Sequence, residues 1–343
     1  MSILKAAIIG GGNIADKNHI PALKQLSDQV AVVAVCSRDL GKARALADKH
    51  DIPHAFAHTA ELYRQCAPDV VVICTPNYLH YPQTMEALAH NCHVFCEKPP
   101  AITAQNAREM ADLAVEKGLT LAYNLQLRQT SEWALLMRCK ADGLLGDIYH
   151  IKANFLRRRG IPGWGHFTDK AMQGGGALMD LGVHVLDLAL CALDYPTPDQ
   201  VLGNTYDLIG KAGGKGLMGS WDPAKFGVED AGTAYLSFPN KASIMLSASF
   251  ALNAQSDRNR NLEIFGSKGG VNLFPFTLHT ELAGELADVQ FPYLEEVDIQ
   301  LKNTAAFLDA CQGKPSTVCT GAQGAILQEI VGRIYQSAEG TTL

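Results

Sequence analysis

Two polar segments, far apart along the chain, carry the residue types best suited to chemistry. One is Glu97-Lys98-Pro99, which follows a short apolar run, and the other is a glycine-rich stretch that leads to Asp180 and His184. If the second segment is helical, Asp180 and His184 are four residues apart and point from one face. The pattern predicts that a lysine and a histidine serve one site.

The residue after Lys98 restricts how that lysine is presented. Pro99 biases the preceding residue toward extended angles, which would hold Lys98 at the end of a strand. A lysine fixed beside a nicotinamide ring can hydrogen-bond the ribose and a substrate oxygen. Taken alone, a lysine in a turn is more simply a surface residue. The peptide bonds before Pro99 and Pro100 are both candidates for the cis form.

The helical pattern from Gly176 to Ala192 places apolar side chains on one stripe and Asp180, His184 and Asp187 on another face. Acids beside an imidazole fix its tautomer, which suits a proton acceptor in alcohol oxidation. The alternative is a capped helix with polar pairs along its surface. No metal site is predicted, because a third ligand is missing at helical spacing.

The N-terminal sequence predicts a dinucleotide site. An apolar run, Leu4 to Ile9, leads into Gly10-x-Gly12-x-x-Ala15 and then into a helical pattern. This order matches a strand, a tight glycine turn and a helix whose free N–H groups face a pyrophosphate. Glycine turns without nucleotide are common, but the strands that follow favour the dinucleotide.

The end of the second strand bears on the choice of coenzyme. The sequence there is Cys36-Ser37-Arg38-Asp39, and a hydroxyl with a guanidinium suits the 2′-phosphate of NADP. NADP is therefore favoured. NAD remains possible because Asp39 could accept hydrogen bonds from a ribose 2′-hydroxyl, and Arg38 could equally be a solvated loop cation.

Up to Asn124, short β-branched runs alternate with helical patterns, which predicts an α/β domain: a Rossmann-type doubly wound parallel sheet over residues 1–124. Loops at the carboxyl ends of such strands line the ligand crevice. Two further polar loops fall on that edge, Glu97-Lys98-Pro99 and the segment from Thr75 to His80. Within the latter, Asn77 could instead be only an N-cap for the next helix.

Beyond Asn124 the pattern changes, and residues 125–343 predict an α+β domain built on a large mixed or antiparallel open sheet. The predicted strands are near residues 148–156, 231–238, 242–252, 262–265 and 271–274. Few helices are available to cover this sheet, so one apolar face is expected to find a partner. We therefore predict a homo-oligomer, a dimer or tetramer, in which this domain binds substrate and oligomerises.

The residues after the first of these strands could contact a substrate. Arg157 ends the strand, and Trp164 and His166 follow in a glycine-containing loop. Trp164 could stack on a sugar ring, and Arg157 could meet a phosphate or a carboxylate. A strand-end charge cluster with a packed tryptophan explains the same pattern. We predict substrate contacts from Arg157, Trp164 and His166.

Composition limits the possible partners. In 343 residues, 47% are hydrophobic, 19% are charged, and the formal net charge is −6, which gives no electrostatic case for nucleic acid or an acidic membrane. The N-terminus lacks the pattern of a signal peptide, and by inspection of the sequence no apolar run approaches the length of a membrane span. The nine cysteines form no CxxC pair, so we expect them to be reduced and mostly buried, in a cytoplasmic protein.

With these residues identified, the chain resembles the Gfo/Idh/MocA oxidoreductase family, which includes glucose-fructose oxidoreductase and inositol dehydrogenase. The resemblance extends over nearly the whole length. It rests on an ordered set of motifs: Gly10-x-Gly12-x-x-Ala15, Thr75-Pro76-Asn77-x-x-His80, Glu97-Lys98-Pro99, Gly175-Gly176 and Asp180-x-x-x-His184. One departure is Gln126, with Arg128 two residues on, where many members have a basic residue.

The resemblance implies an enzyme that transfers a hydride between a nicotinamide coenzyme and a secondary hydroxyl or ketone of a sugar, sugar derivative or cyclitol. It implies that Lys98 contacts nicotinamide ribose and substrate, that Asp180 positions a hydroxyl and that His184 exchanges the proton. These three are the predicted catalytic residues. The predicted coenzyme contacts are Gly10, Gly12, Asn13, Ile14, Ser37, Arg38, Thr75, Pro76, Asn77, His80, Glu97 and Lys98.

Two other functions remain open at this point. One is an NAD-dependent glycosidase that oxidises its substrate transiently to drive elimination. The other is a protein that senses a dinucleotide or a sugar without chemistry. The retention of both Lys98 and His184 argues against the second of these.

Overall fold

The computed structural model describes residues 3–340, which form two compact units. The first unit comprises the chain up to Gln129 together with Asp298–Ala325, and the second comprises Thr130–Val297 together with the chain from Ile326. The boundary predicted after Asn124 is close to the observed one. The prediction assigned all later residues to the second domain, however, and missed the return of Asp298–Ala325 to the first unit.

The first unit is built on a parallel sheet. Its strands are β1 Leu4–Ile9, β2 Val30–Cys36, β3 His54–Phe56, β4 Val70–Ile73, β5 His93–Cys96 and β6 Leu121–Tyr123. Their order is β6-β5-β4-β1-β2-β3, with every pair parallel. This is the doubly wound order, so the predicted Rossmann-type sheet is confirmed.

Five α-helices connect these strands: α1 Ile20–Gln25, α2 Leu40–Lys49, α3 Thr59–Cys66, α4 His80–Ala89 and α5 Ala104–Glu116. The central strands are predominantly apolar because both faces of a parallel sheet are covered. Strand β4, with the sequence Val-Val-Val-Ile, is buried along its whole length.

The second unit contains an eight-stranded sheet. Its strands are β7 Ile148–Arg157, β8 Gln200–Tyr206, β9 Ala231–Ser237, β10 Ser243–Ser249, β11 Arg258–Gly266, β12 Gly270–Asn272, β13 Thr277–Leu282 and β14 Glu285–Gln290. The order is β14-β13-β12-β11-β7-β10-β9-β8. Only the β7–β10 pair is parallel, which confirms the predicted mixed sheet.

Sequence patterning missed β8, β13 and β14. Each of these strands has mostly exposed or half-exposed residues, so no apolar face marks it. The helices of the second unit that precede the C-terminal one are α6 Ser131–Ala141, α7 Lys170–Gln173, α8 Val183–Ala192 and α9 Leu208–Ala212.

Helix α8 is the core helix of the second unit, since its residues from Val183 to Leu190 are all buried. The helical stretch Lys170–Ala192 is long and apolar enough to cross a membrane by length and composition, contrary to the expectation from inspection of the sequence. Because 83% of its most apolar window is buried inside the protein, the stretch matches the packed core helix of a folded domain.

After β14 the chain returns to the first unit as α10 Ile299–Cys311 and β15 Cys319–Thr320. Strand β15 pairs antiparallel with β6 and so adds an edge strand to the parallel sheet. Phe307 of α10 stacks on Phe95 of β5 with ring centroids 4.7 Å apart, which anchors the returning segment in the first core. The last helix, α11, covers Gly321–Ala338.

All nine cysteines are free thiols, and six of them are buried, as expected. No group of three or more His, Cys, Asp or Glu side chains that could hold a metal ion occurs within residues 3–340.

Candidate active site

Two of the three glycines in the turn after β1, Gly10 and Gly12, are glycine for different reasons. Gly10 has a φ of +106°, and a Cβ there would lie 2.6 Å from the carbonyl carbon of Cys74, so only glycine fits. A Cβ on Gly12 would meet nothing within 4 Å. Gly10 is therefore required by the fold, whereas Gly12 leaves open space into which a pyrophosphate fits.

That open space belongs to a shallow cavity of about 270 Å³. It is lined by Gly11, Gly12, Asn13, Asp16, Lys42, Ala45, Leu46 and Lys49. The segment that follows, Ala15–His19, is a π-helical turn rather than the start of a regular α-helix. Asp16 on this turn is bonded to Lys49 and His50, each at 2.7 Å, and these bonds lower its pKa. The acid closest to the turn is thus compensated, and the residues present fit a dinucleotide.

At the end of β2, the three polar residues are in different situations. A Cβ on Gly11 would lie 3.3 Å from the Cβ of Ser37, so Ser37 borders the glycine turn. The side chain of Asp39 caps α2 by accepting a hydrogen bond from the Lys42 backbone N–H at 3.2 Å. Arg38 is exposed. The carboxylate that could have served a ribose hydroxyl is therefore occupied as a helix cap.

The loops after β4 and β5 lie at the same edge as the glycine turn, because β5, β4 and β1 are neighbours and parallel. His80 joins the two loops. Its ring is fully buried, with Nδ1 2.8 Å from the carbonyl oxygen of Pro99 and Nε2 2.9 Å from that of Thr75. Burial lowers the pKa of His80, although both carbonyls act to raise it. His80 therefore positions the loops, and the predicted direct contact with coenzyme would require its ring to leave both carbonyls.

The alternative reading of Asn77 as a helix N-cap is wrong. A short 3-10 turn, Asn77–Leu79, begins at Asn77 itself, and the preceding cap position is Pro76. Thr75 in the same loop donates its hydroxyl to Gln83 at 2.6 Å. Lys98–Pro99 is a cis peptide bond, which settles the open choice at that position.

A buried polar network holds the segment that carries Lys98. The carboxylate of Glu97 is 2.7 Å from Nε2 of His19 and accepts a hydrogen bond from Asn124 at 2.8 Å. Asn124 is also bonded to Gln300 and Asn303 of α10, at 3.2 and 2.9 Å. The backbone N–H of Lys98 lies 3.3 Å from the second carboxylate oxygen.

The charge on Glu97 is favoured despite its burial. Burial raises its pKa, but the hydrogen bond and charge of His19, the charge of Lys98 and the bond from Asn124 together lower it to about 2. Glu97 was predicted to bind coenzyme. Its side chain is buried beside His19 and Asn124, where it fixes the end of β5 and so the backbone of Lys98, and a contact with coenzyme stays a prediction.

In the second unit, Asp180 lies on a π-helical turn, Leu178–Gly182, that runs into α8. The predicted regular α-helix from Gly176 is therefore wrong in its first turns. Short π-helical segments occur frequently at functional sites. Since a π-turn holds more residues than an α-turn, the i, i+4 relation between Asp180 and His184 is shifted from the ideal one.

The N-terminus of this helical segment is anchored by Glu229, which sequence reasoning missed. Its carboxylate accepts hydrogen bonds from the backbone N–H groups of Gly176 and Leu178 at 2.8 and 2.9 Å. Tyr335 donates its hydroxyl to the same carboxylate at 2.7 Å. A Cβ on Gly176 would lie 2.0 Å from the Glu229 carbonyl oxygen, so this glycine permits the close approach.

In the second unit, the predicted substrate residue Arg157 lies within the electrostatic influence of the predicted catalytic residue Asp180. The ring of His184 lies 6.2 Å from that of Phe155. Asp187 is fully buried and accepts a hydrogen bond from the hydroxyl of Tyr195.

Two other predicted substrate residues are on the surface. Trp164 and His166 lie on the exposed loop after β7, where Trp164 packs edge-on against Phe167. Their role stays a prediction.

The partners of Glu97 and of the π-turn were not found from sequence because they are remote from the motifs. They come from four different elements or loops, and among them Gln300 and Asn303 share α10: His19, Asn124, Gln300, Asn303 and Glu229. The sequence around His19 gives no signal of its burial, because it directly follows the polar residues Asp16, Lys17 and Asn18.

The chain was compared with protein families and with known proteins. Residues 4–125 match the oxidoreductase family with an NAD-binding Rossmann fold, and residues 133–272 match the GFO/IDH/MocA C-terminal domain. The chain is 40% identical to D-glucoside 3-dehydrogenase of Escherichia coli (strain K12), over 99% of this chain and 97% of that protein. This chain belongs to the Gfo/Idh/MocA family. It is accordingly an oxidoreductase with an NAD-binding fold.

Other members of the family are similar over shorter or more divergent ranges. Human trans-1,2-dihydrobenzene-1,2-diol dehydrogenase is 29% identical over 76% of this chain and 72% of its own. A solved structure of levoglucosan dehydrogenase in complex with NADH and levoglucosan has a TM-score of 0.84 at 20% identity, covering 99% of this chain and 98% of that one. The latter likeness shows the common fold.

Gly10 and Gly12 of the turn should respond differently to replacement by alanine. We expect Gly10→Ala to lower the free energy of unfolding by more than about 1 kcal/mol, because its φ is positive and the Cβ meets the Cys74 backbone. We expect Gly12→Ala to keep stability within about 0.5 kcal/mol, since the site is open. Gly12→Ala should nevertheless weaken coenzyme binding roughly tenfold by blocking close approach to the pyrophosphate. Urea unfolding and fluorescence titration measure the two effects, and equal destabilisation by both variants would contradict the assignment.

The Glu97 network should appear as a pH dependence of stability. A carboxyl whose pKa falls from 4.5 to about 2 on folding stabilises the protein above pH 4.5 and loses this contribution as the pH falls toward 2. The shifted pKa of Glu97 contributes roughly 3 kcal/mol to the free energy of unfolding at neutral pH.

Urea unfolding between pH 6.5 and 3 should therefore show a shallower pH dependence for Glu97→Gln than for the wild type. Glu116→Gln, on the exposed surface of α5, is the matched control and should leave the wild-type slope unchanged. A wild-type slope in Glu97→Gln would refute the buried charge.

Proposed function

We propose that this oxidoreductase transfers a hydride between a nicotinamide coenzyme and a secondary hydroxyl or ketone of a sugar, sugar derivative or cyclitol. Support comes from the relatives named for dehydrogenation of D-glucosides and of levoglucosan. The observation that carries the proposal is the placement of Lys98. It follows β5 at the carboxyl edge of a dinucleotide-binding sheet, where a buried carboxylate fixes its backbone.

Each catalytic residue has a role suited to its chemistry. The nicotinamide, when bound, supplies the hydride acceptor or donor. His184 accepts the hydroxyl proton during oxidation and returns it during reduction, and Asp180 positions the hydroxyl. Lys98 stabilises the negative charge that develops on the substrate oxygen as the proton leaves.

The coenzyme would be held mainly by backbone and short polar side chains. The glycine turn with Asn13 and Ile14 would receive the pyrophosphate, because free N–H groups and open space meet there. Residues of the loop from Thr75 to Asn77 would border the nicotinamide half.

The roles of Lys98 and His184 can be separated from binding. We expect Lys98→Met and His184→Asn each to lower kcat by about 100-fold or more on a sugar that the wild type oxidises, because each loses a proton-transfer or charge-stabilising group. The coenzyme Kd of His184→Asn should stay within about threefold of the wild-type value, since the imidazole serves the substrate. Absorbance of the reduced coenzyme across aldoses, ketoses, inositols and sugar nucleotides identifies the sugar.

Surface variants of the same residue types, Lys302→Met and His54→Asn, are the controls and should retain wild-type turnover. Near-normal kcat in Lys98→Met and His184→Asn would refute the assignment. Release of a leaving group without net coenzyme reduction would favour the glycosidase alternative. Coenzyme binding without turnover of any sugar would favour the sensing alternative.

We further propose that NADP is preferred over NAD. Ser37 borders the glycine turn, Arg38 is exposed beside it, and the carboxylate of Asp39 is occupied as the cap of α2. A hydroxyl with a guanidinium suits a 2′-phosphate better than a ribose diol.

The coenzyme preference can be read from binding alone. Arg38→Ala should raise the Kd for NADPH by about tenfold, because one charge-assisted contact is lost, and should leave the Kd for NADH nearly unchanged. Arg44→Ala is the matched control, because Arg44 is exposed like Arg38 but lies on α2. Fluorescence titration of both coenzymes gives these values, and a wild-type preference for NADH would overturn the proposal.

A homo-oligomer also stays a proposal. The second sheet carries exposed apolar side chains on several strands, including Tyr149, Leu202, Tyr235 and Met245. Such a surface is typical of an interface. The cytoplasmic location expected from the sequence stays a prediction.

A further inference from the structure

Two arginines of neighbouring strands meet on one face of the second sheet. Arg157 at the end of β7 lies directly opposite Arg258 at the start of β11. Opposite residues of an antiparallel pair project to the same face. Both guanidinium carbons lie over the ring of Phe155, at 5.7 and 5.2 Å from its centroid. The two positive groups therefore share one aromatic platform.

This arrangement concentrates positive charge. Like charges directly opposite each other on paired strands destabilise a sheet, so the pair has a cost to the fold. Burial lowers the pKa of Arg157, and the charge of Arg258 lowers it further, while Asp180 acts in the opposite sense. Arg260 lies two residues further along β11, opposite Phe155 and on the same face, and adds a third guanidinium over the ring of Phe274.

The pair is also preorganised. Arg157 donates from Nη1 to the carbonyl oxygen of Gly160 at 3.3 Å. A Cβ on Gly160 would lie 2.5 Å from Cδ of Arg157, so this glycine makes room for the arginine stem against the backbone turn. Arg258 is exposed, which leaves its guanidinium accessible to a ligand.

The platform adjoins the predicted proton acceptor. The Phe155 ring that carries both guanidiniums is the ring whose centroid lies 6.2 Å from that of His184. Guanidinium groups bind carboxylate and phosphate through paired, charge-assisted hydrogen bonds. A substrate whose hydroxyl faces His184 would bring a neighbouring substituent to these arginines.

We propose that Arg157 and Arg258 bind an anionic group, a carboxylate or a phosphate, on the sugar substrate, so that the enzyme prefers sugar acids or sugar phosphates to neutral glycosides. The proposal rests on the proposed function for its substrate class, while the anion site itself rests on the second unit alone.

Calorimetric titration of the full chain tests the anion site without turnover. The probes are methyl β-D-glucuronide and glucose 6-phosphate, with methyl β-D-glucoside as the neutral reference. We expect at least one anionic probe to bind wild type about tenfold or more tightly than the glucoside, and Arg258→Gln to abolish that difference. The two anionic probes distinguish carboxylate from phosphate.

Arg158→Gln is the matched control. Arg158 is the next residue along from Arg157, is exposed and lies 3.8 Å from Asp257, so it should keep the wild-type preference. Circular dichroism of Arg258→Gln verifies folding, and Arg258→Lys should restore binding in part because it keeps the charge without the fork.

The outcomes separate the two proposals. Equal binding of neutral and anionic probes, or equal weakening of all three by Arg258→Gln, would overturn the anion site. If the anion site were overturned in either way while the enzyme still oxidised the neutral glucoside, the proposed function would stand. Absence of oxidation of any sugar would refute the proposed function, and the titration would still decide whether the arginine pair binds anions.

Discussion

A buried carboxylate is stable only when other groups replace the water that it has lost, and Glu97 meets this constraint through His19 and Asn124. These partners come from the segment after the glycine turn and from the end of β6. Asn124 is held in turn by Gln300 and Asn303 of the returning helix α10. One charge thereby joins the coenzyme turn, the strand end that carries Lys98 and the late segment of the chain. The position of Lys98 depends on all three.

The same physical solution recurs in the second unit. Glu229 is nearly fully buried, and burial raises its pKa, but backbone N–H groups and Tyr335 supply its hydrogen bonds. This carboxylate fixes the start of the π-turn that carries Asp180. In both units a buried acid, remote from the motif in sequence, holds a short polar segment in place. Such anchoring suits the catalytic roles proposed for Lys98 and Asp180, because proton and hydride transfer require a narrow range of geometry.

Sequence patterning predicted the parts of the fold that have a strong apolar period. Strands β1, β2, β4 and β5 are predominantly apolar, and their order along the chain already implied a shared carboxyl edge. The polar strands of the second sheet gave no such signal. The return of α10 to the first unit was also missed. The apolar pattern of α10 indicates a buried helix, but it does not indicate which of the two cores buries Phe307.

For the candidate site, the sequence indicated the motif residues but not the buried residues that hold them in place. Motif residues such as Lys98 and His184 were chosen as candidates because their types and neighbours are unusual. Their anchors were missed because a single His, Asn or Glu in an apolar context has many possible partners. The π-turn at Asp180 was also missed, since residue pattern gives no measure of a local change in helical pitch.

Charge pairing explains how a chain with a net charge of −6 can offer a site to an anionic dinucleotide. Three acids lie near the glycine turn or on the adjoining strand ends, and each is engaged. Asp16 is bonded to Lys49 and His50, Asp39 caps the N-terminus of α2, and Glu97 is bonded to His19. Because a capping carboxylate also interacts favourably with the helix dipole, none of the three presents an uncompensated charge to the crevice. The local field is then set by the backbone N–H groups of the turn and by the exposed cations beside it, which favour a phosphate whatever the charge of the whole molecule.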